Sequence, residues 1–432
     1  AAPRSVHGSM SQAVGGFLSK LQQHIDRGNG KQVAKLLEMS GVPGHIKQAL
    51  RAAGRSKAVV GMAKRQLRDP WGPFVGSFLV CASMLDAGRG SEAAESAKDV
   101  QKFILKVMDT LLSAANNPDP SNPMPKGKPA NWYLPIVNAA VLQIRLSAYA
   151  ADDAKGNTDE QRAMLLLIRE LLVTCIRKQR APTKQSLKMG VVSIVNHLFK
   201  ICFRINLLRM THDMQRTMND PSIPKIEEFP RSQAVTYKYF QGRIHLMEEK
   251  YDEAEKDLDW AFKHCHRGAR SNKRRILQYL IPIKLLRSKK PKPRLFQKYP
   301  FPEFEVIMNA VQRGDLKMYN DALVRYEDLF VQQGVFLVME KLKKFVFRNL
   351  VKKVYLTNAS IPDATKTKIP LSYIRFALKI YNVEVDEDNF DEIECIVANL
   401  IYDKLIRGYI AHERYLVVAT KNAFPDPNAP KK

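Results

Sequence analysis

The sequence predicts an all-α fold: a stack of antiparallel helices that ends in a small β-hairpin. Three observations predict it. Apolar residues recur at three-, four- and seven-residue intervals through most of the 432 positions, the mark of helices with one buried face. Alternating, strand-like runs are almost absent before residue 409. The breaks between periodic segments are polar or proline-bearing, and none is long enough to free a domain completely.

Taken in chain order, Gly8-Ser9-Met10 reads as a cloning scar before a native start, so residues 1–9 are set aside as a tag remnant. Phe17, Leu18, Leu21 and Ile25 open one apolar face, and Val33, Leu36 and Leu37 a second. Phe103, Ile104, Val107, Met108, Leu111 and Leu112 form a third, and the segments Met164–Ile176 and Val191–Leu208 repeat the pattern on longer helices. Residues 116–130, with five prolines, read as a surface loop, 151–160 as a polar connection, and 218–232 as a break between two helical regions. Met62, Met84, Met108 and Met164 sit in apolar helical patterns and read as core filling. Trp71 after Pro70 and Trp132 near Pro129 read as packing anchors where loops enter helices.

Residues 237–266 are more specific. Gly242 is followed by Ala254, Leu258 and Ala261. Small residues stand where two helices touch and large ones flank them, which is tetratricopeptide-like spacing and predicts a helical hairpin in a helical-repeat stack. After Pro370, residues 371–381 form a short helix. Residues 389–407 form a second, with Phe390, Ile393, Ile396, Val397, Leu400, Ile401 and Leu405 on one face and Gly408 as its C-cap. Tyr409–Ala411 and Tyr415–Val418 are β-prone and flank His412-Glu413-Arg414. Helix, helix, hairpin is the order of a winged helix. The expected organisation is 10–225 as an N-terminal helical-repeat region, 226–360 as a second helical subdomain, 361–425 as the winged helix and 426–432 as a tail.

Composition narrows function. With 45% hydrophobic and 26% charged residues the chain is not mostly disordered. Five cysteines, none spaced CxxC, argue against a disulfide framework and for a reducing compartment. No apolar run approaches the roughly 20 residues of a membrane span, and the first ten residues hold no signal core. No HExxH, GxxxxGK or GxSxG motif is present, Gly88-Arg89-Gly90 follows a helical stretch and not a strand, and adjacent His264, Cys265 and His266 point in different directions on a helix. No catalytic residue, metal or cofactor is expected, and the protein reads as a non-enzyme.

The unusual quantity is charge: Lys and Arg number 69, Asp and Glu 43, and the net charge is +26. Residues 263–298 hold thirteen basic side chains and no acid, half of that net charge, and residues 341–353 add six more without an acid. Ordinary solvated surfaces mix signs, so these segments point to an anionic partner, by phosphate contact or by docking of an acidic protein. The second winged-helix helix opens instead with Glu384, Asp386, Glu387, Asp388, Asp391, Glu392 and Glu394. Those acids suit a helix N-terminus and would repel DNA, which argues against major-groove reading.

Helical repeats followed by a winged helix resemble the PCI domains shared by the proteasome lid, the signalosome and translation-initiation scaffolds. The blocks AEKDLDWAFKHCHRGARSNKRRILQYLIPIKLL, EKLKKFVFRNLVKKVYL, CIVANLIYDKLIRGYIAHE and LVVATKNAFP are similar, in order, to the PCI domain-containing protein 2 branch, which serves transcription–export complex two. The resemblance covers residues 230–425 closely and the N-terminal half in general pattern. It implies a hetero-oligomer with a larger PCI-domain scaffold and a small acidic disordered subunit. It also implies a nucleus or nuclear-pore location, a role in mRNA export, and a platform for RNA or DNA of weak sequence preference. Neither a membrane nor an enzymatic activity is implied. On this basis nucleic acid is expected at Arg270, Lys273, Arg274, Arg275, Lys341, Lys343, Lys344, Arg348, Lys404, Arg407 and Arg414. Partner contact is expected at Tyr402, Ile406, Tyr409 and Ile410, and the acidic subunit at Arg267, Lys284, Arg287, Lys289 and Lys290. The alternative is a signalosome- or lid-like scaffold with no nucleic-acid role.

Overall fold

The computed structural model describes residues 4–38, 42–44, 46, 56–116, 129–177, 183–362, 365–381 and 390–426. Glu384, Asp386, Glu387, Asp388, most of the 116–130 loop and the end of the tail lie outside the described residues. The chain divides into two compact units, Ala1–Phe240 and Gln241–Lys432, and the described residues form nineteen α-helices and one three-stranded sheet.

The first unit is entirely helical. It comprises α1 (Arg4–Asp26), α2 (Gly30–Leu37), α3 (Ser56–Gln66), α4 (Trp71–Asp86), α5 (Gly90–Asn116), α6 (Leu134–Lys155), α7 (Asp159–Ile176), α8 (Val191–Arg204), α9 (Arg209–Met218) and the start of α10 (Arg231–Met247). From α3 to α9 consecutive helices pack on one another, as expected of a stack, while α2 lies against α1 and α6, and α3 against α1. The predicted faces are buried: Leu18, Leu21, Val33, Leu37, Ile104, Val107 and Met108 are all fully enclosed. Trp71 packs its ring against Trp132 and Tyr133, with centroids 5.9 and 5.5 Å apart, so both tryptophans anchor the core.

Three expectations for this unit change. The helix from Val191 ends at Arg204 and does not reach Leu208, because Asn206 turns left-handed (φ 55) and the Leu207 amide closes back on the Cys202 carbonyl at 2.9 Å. The 151–160 connection shrinks, because α6 runs on to Lys155. Buried Asp152 then accepts the Glu160 and Gln161 amides at 3.1 and 2.8 Å, capping α7 from the preceding helix. Finally, Asn131–Lys155 is long and apolar enough to cross a membrane by length and composition, but more than half of it is buried in the unit.

The second unit begins with a hairpin of α10 and α11 (Tyr251–His264). A Cβ on Gly242 would stand 2.6 Å from Leu258 Cγ and 3.4 Å from the Ala254 carbonyl, so the predicted small-residue contact is real. Leu258 and Ala254 are fully buried, whereas Tyr251 is only half-buried. The stack continues through α12 (Arg270–Leu286), α13 (Pro293–Lys298), α14 (Pro302–Arg313), α15 (Leu316–Arg325), α16 (Glu327–Gln333) and the long α17 (Phe336–Ala359).

The winged helix follows as β1 (Lys368–Pro370), α18 (Leu371–Ile380), α19 (Asp391–Tyr402), β2 (Gly408–Ala411) and β3 (Tyr415–Val418). Strand β1 was not foreseen. It pairs antiparallel with β3, Ile369 opposite Leu416, so the sheet order is β1-β3-β2 and β2 is an edge. Gly408 is not a helix cap. Helix α19 stops at Tyr402, and Lys404 takes the left-handed conformation (φ 59). Gly408 opens β2 opposite Val418, where a Cβ would overlap the Val417 carbonyl oxygen.

Candidate nucleic-acid and partner interface

Helix α12 carries the densest positive charge. Ile276, Leu277, Leu280, Ile281 and Ile283 bury its inner side, which drives the cations to its ends and outer face. Helix α11 supplies the acids that the 263–298 segment lacks. Asp252, Glu255 and Asp259, spaced on one helical face, meet the C-terminal end of α12. Lys284 Nζ lies 2.8 Å from Asp259, Arg287 bonds Asp252 and stands 3.2 Å from Glu255, and Lys289 Nζ lies 2.7 Å from Glu255. Burial works to raise the Asp259 pKa, but Lys284 and then Lys263 outweigh it and hold the carboxyl below its usual range. Lys284, Arg287 and Lys289, expected to receive an acidic subunit, are therefore already neutralised within the fold.

At the other end of α12 two expected phosphate ligands act as staples. Lys273 donates to the Phe262 carbonyl at 3.0 Å and sits over that ring. Arg274 donates to the Pro300 carbonyl at 3.3 Å and lies over the Phe301 ring. The cations left for a partner are Arg267, Arg270, Arg275, Lys290, Lys292, Arg294 and Lys298. All seven are exposed, and none makes an ion pair among the described residues.

Helix α17 places Leu342, Phe345, Val346, Leu350 and Val351 in the core, as its apolar stripe predicts. Its cations divide. Lys341 pairs with Glu249 at 2.6 Å and donates to the Tyr251 hydroxyl at 3.2 Å; the Glu249 bond raises its pKa. Lys344 pairs with Asp403 at 2.8 Å. Lys343, Lys352 and Lys353 are exposed. Arg348 is not available to nucleic acid: it is 8% exposed, and its guanidinium donates to the carbonyls of Phe424 (3.2 Å) and Pro425 (2.9 Å). The arginine ties the end of the chain to α17.

In the winged helix, Lys404, Arg407 and Arg414 are exposed. Of the expected partner contacts, Tyr402 and Tyr409 are 85% and 64% exposed and Ile410 is half-buried. Ile406 is 1% exposed and belongs to the core. It follows Leu405 where the chain turns from α19 into the wing, and both side chains point inward.

A family model of the PCI domain matches residues 323–421, the span from α15 through the wing. PCI domain-containing protein 2 of Xenopus laevis is 38% identical over 305 residues, 69% of this chain and 74% of that protein. Its Danio rerio counterpart is 37% identical over 310 residues, with the same coverage. The protein CSN12 homolog of Neurospora crassa is 31% identical over 328 residues, 68% of this chain and 72% of that protein. The chain belongs to the PCI domain-containing protein 2 family.

Two features of this PCI winged helix were missed in the sequence. Helix α18 is apolar on both sides. Leu371, Ile374 and Leu378 are buried, while Tyr373, Phe376 and Ile380 stand 45%, 67% and 60% exposed in a row. Such a row leaves apolar side chains facing solvent that the fold itself does not cover. The signal was legible, since six large apolar residues in a ten-residue helix exceed what one face can bury. The second feature joins α19 to the wing tip. Glu394 accepts the Glu413 amide at 2.7 Å and pairs with His412 Nδ1 at 3.0 Å, so this acid does more than complement a helix dipole.

The latch responds to pH. Glu394 raises the His412 pKa, so that ion pair is complete below the ordinary histidine value and is lost as pH rises through the folded value. Burial works against the Glu394 charge, but the Glu413 amide and then His412 win, and its pKa falls. Its contribution is lost as pH drops through that lowered value. Exchange of the Glu413 amide is expected to be slowest between the two and to accelerate, beyond the intrinsic rate, above the His412 transition. A His412→Gln variant should remove the upper transition.

Among the described residues no group of three His, Cys, Asp or Glu side chains is placed to hold a metal. His264 stacks on Trp260 and His266 accepts the Gly268 amide.

Proposed function

We propose that the chain is a non-enzymatic scaffold subunit of a nuclear mRNA-export complex. In this reading it pairs with a larger PCI-domain scaffold and a small acidic disordered subunit. It also tracks RNA or DNA phosphates with weak sequence preference and works in the nucleus, at the nuclear pore. Membership of the PCI domain-containing protein 2 family supports a scaffold role. The observation that carries the nucleic-acid part is the set of exposed cations without ion pairs: Arg267, Arg270, Arg275, Lys292 and Arg294 around α12. Lys404, Arg407 and Arg414 extend the set to the wing. The partner surface combines Tyr402, Tyr409 and the edge strand β2 with Tyr373, Phe376 and Ile380 of α18.

The test is binding of a labelled 20-nucleotide oligouridylate by the full chain across a salt series. Charge reversal of Arg267, Arg270 and Arg275 to Glu is expected to weaken binding at least tenfold at low salt. It should also flatten the salt slope by about 0.7 per lost phosphate contact, roughly 2 in all. Affinity that survives this change removes the assignment. Co-purification from nuclear extract tests the assembly, which should bring a larger PCI protein and a small acidic chain.

One observation favours the second reading, a signalosome- or lid-like scaffold without a nucleic-acid role. Neutralisation of Lys284, Arg287 and Lys289 by α11 shrinks the cationic surface. That reading predicts no salt-dependent shift of RNA by the purified complex.

A further inference from the structure

The first unit carries a block of positive charge that the reading above does not use. Residues 10–68 hold eleven Lys or Arg side chains and two acids, Asp26 and Glu38, against 69 and 43 over the whole chain. Ordinary solvated surfaces mix the two signs. The described helices of this stretch are α1, α2 and α3, and α1 packs against both of the others. Their apolar sides are spent on the unit: Leu18, Leu21, Val33, Leu37, Val59 and Ala63 are fully enclosed. The cations are left outside. Lys20 and Arg27 stand two turns apart on one side of α1, and Lys31 and Lys35 one turn apart on α2. Lys64 lies in the last turn of α3 and Arg68 just beyond it, where the Arg68 amide donates to Gln22 Oε1 of α1 at 3.3 Å. All six are exposed, and none makes an ion pair among the described residues. Arg65 is not counted with them, because its Nε donates to the Gly61 carbonyl at 3.3 Å. Of the acids, Asp26 accepts the Gln22 side-chain amide at 2.8 Å, and Asp69, just past the stretch, pairs with Lys106 at 3.0 Å.

The arrangement selects a class of anion. The six cations are spread along three helices, and Lys20 and Arg27 alone are about 10 Å apart along the axis of α1. Such spacing suits a polymer of charge and not one phosphate or carboxylate. Docked protein segments are held by buried apolar anchors, and single strands by bases stacked on aromatic rings. Neither hold is offered here. No large apolar side chain of α1–α3 is exposed among the described residues. Phe17, the only Phe, Tyr or Trp between residues 10 and 68, is buried. A duplex keeps its bases stacked inside and turns its phosphates outward, so contact with the backbone alone is enough to bind it.

We propose that α1, α2 and the end of α3 form a surface for the phosphate backbone of a nucleic-acid duplex, bound without base preference. It is separate from the cations around α12 and the wing, and it lies outside the residues matched by the PCI family model.

The test uses the full chain, labelled 20-base-pair DNA and RNA duplexes, a labelled 20-nucleotide oligouridylate and a salt series. Both duplexes are expected to bind, and the tighter one names the natural source. The variant combining Lys20→Gln, Arg27→Gln, Lys31→Gln and Lys35→Gln should bind duplex at least tenfold more weakly at low salt. Its salt slope on duplex DNA should flatten by about 0.9 per lost contact, roughly 3 to 4 in all. Lys64→Gln with Arg68→Gln should give about half that change. Oligouridylate affinity and thermal stability should hold in both variants. Charge reversal of Arg267, Arg270 and Arg275 should do the opposite, weakening oligouridylate more than duplex, so the two surfaces stand or fall separately. Unchanged duplex affinity in both variants, at wild-type stability, overturns the proposal. So does polyglutamate that displaces labelled duplex as well as unlabelled duplex does at equal charge, since the occupant would then be an acidic protein.

Discussion

Replacing Arg348 by Met is expected to cost about 3 kcal/mol of stability, because two hydrogen bonds from a charged group to buried carbonyls are lost. The apolar stem of Met takes the place of the arginine's, but it offers the Phe424 and Pro425 carbonyls no donor. Burial already pushes the arginine pKa down against the pull of Asp426, so its charge is held at a cost that the carbonyls repay. For a unit of this size the loss corresponds to a fall in Tm of roughly 6–12 °C. Hydrogen exchange should localise it to the Ala423–Pro425 segment and to α17. Affinity for oligouridylate, measured well below the lowered Tm, should be unchanged. A variant of unaltered stability with weakened RNA binding would return Arg348 to the interface.

Gly408→Val is the second large effect, and its sign separates propensity from packing. Valine is among the best strand formers and glycine among the poorest, so local preference alone predicts a gain. The structure predicts the reverse. A Cβ at this position overlaps the Val417 carbonyl oxygen and stands 3.0 Å from the Val418 Cα, and both obstacles are backbone that cannot rotate away. Strand β2 must leave its register with β3, at about 3 kcal/mol or more, the scale of severe single substitutions. Loss should be local: fast exchange across Tyr409–Ala411 and Tyr415–Val418, with helical circular dichroism nearly intact. If Tyr409 and the β2 edge hold a partner, co-purification of the larger PCI protein should fail in the same variant. A valine variant with a protected wing would show that β2 can shift freely.

How much of this was legible beforehand follows from the range of each interaction. Helices with one apolar face announce themselves within a turn or two, so the faces of α1, α5 and α17 and the Gly242–Leu258 contact could be read directly. The wing strands β2 and β3 were legible for the same reason. Strand β1 was not, because three residues with a terminal proline carry no periodic signal and exist as a strand only through pairing with β3. The Gly408 assignment failed because glycine after a helix usually marks a cap, whereas here the close approach comes from a strand nine residues on.

The candidate site divides along the same line. Its composition was visible: two acid-free segments, a winged helix behind them, and a family resemblance that the relatives bear out. Which of those cations face solvent was not visible. Lys284, Arg287 and Lys289 meet acids roughly thirty positions earlier in the chain, and Arg348 meets carbonyls more than seventy positions later. The two acid-free segments that hold these cations contain neither set of partners. The sequence by itself determined the helical class, the C-terminal wing and the excess of positive charge, because each depends on residues near in the chain or on a simple count. Only the tertiary structure decided where that charge is free, since ion pairing depends on distance in space and the helices that neutralise one another are neighbours only once the stack has formed.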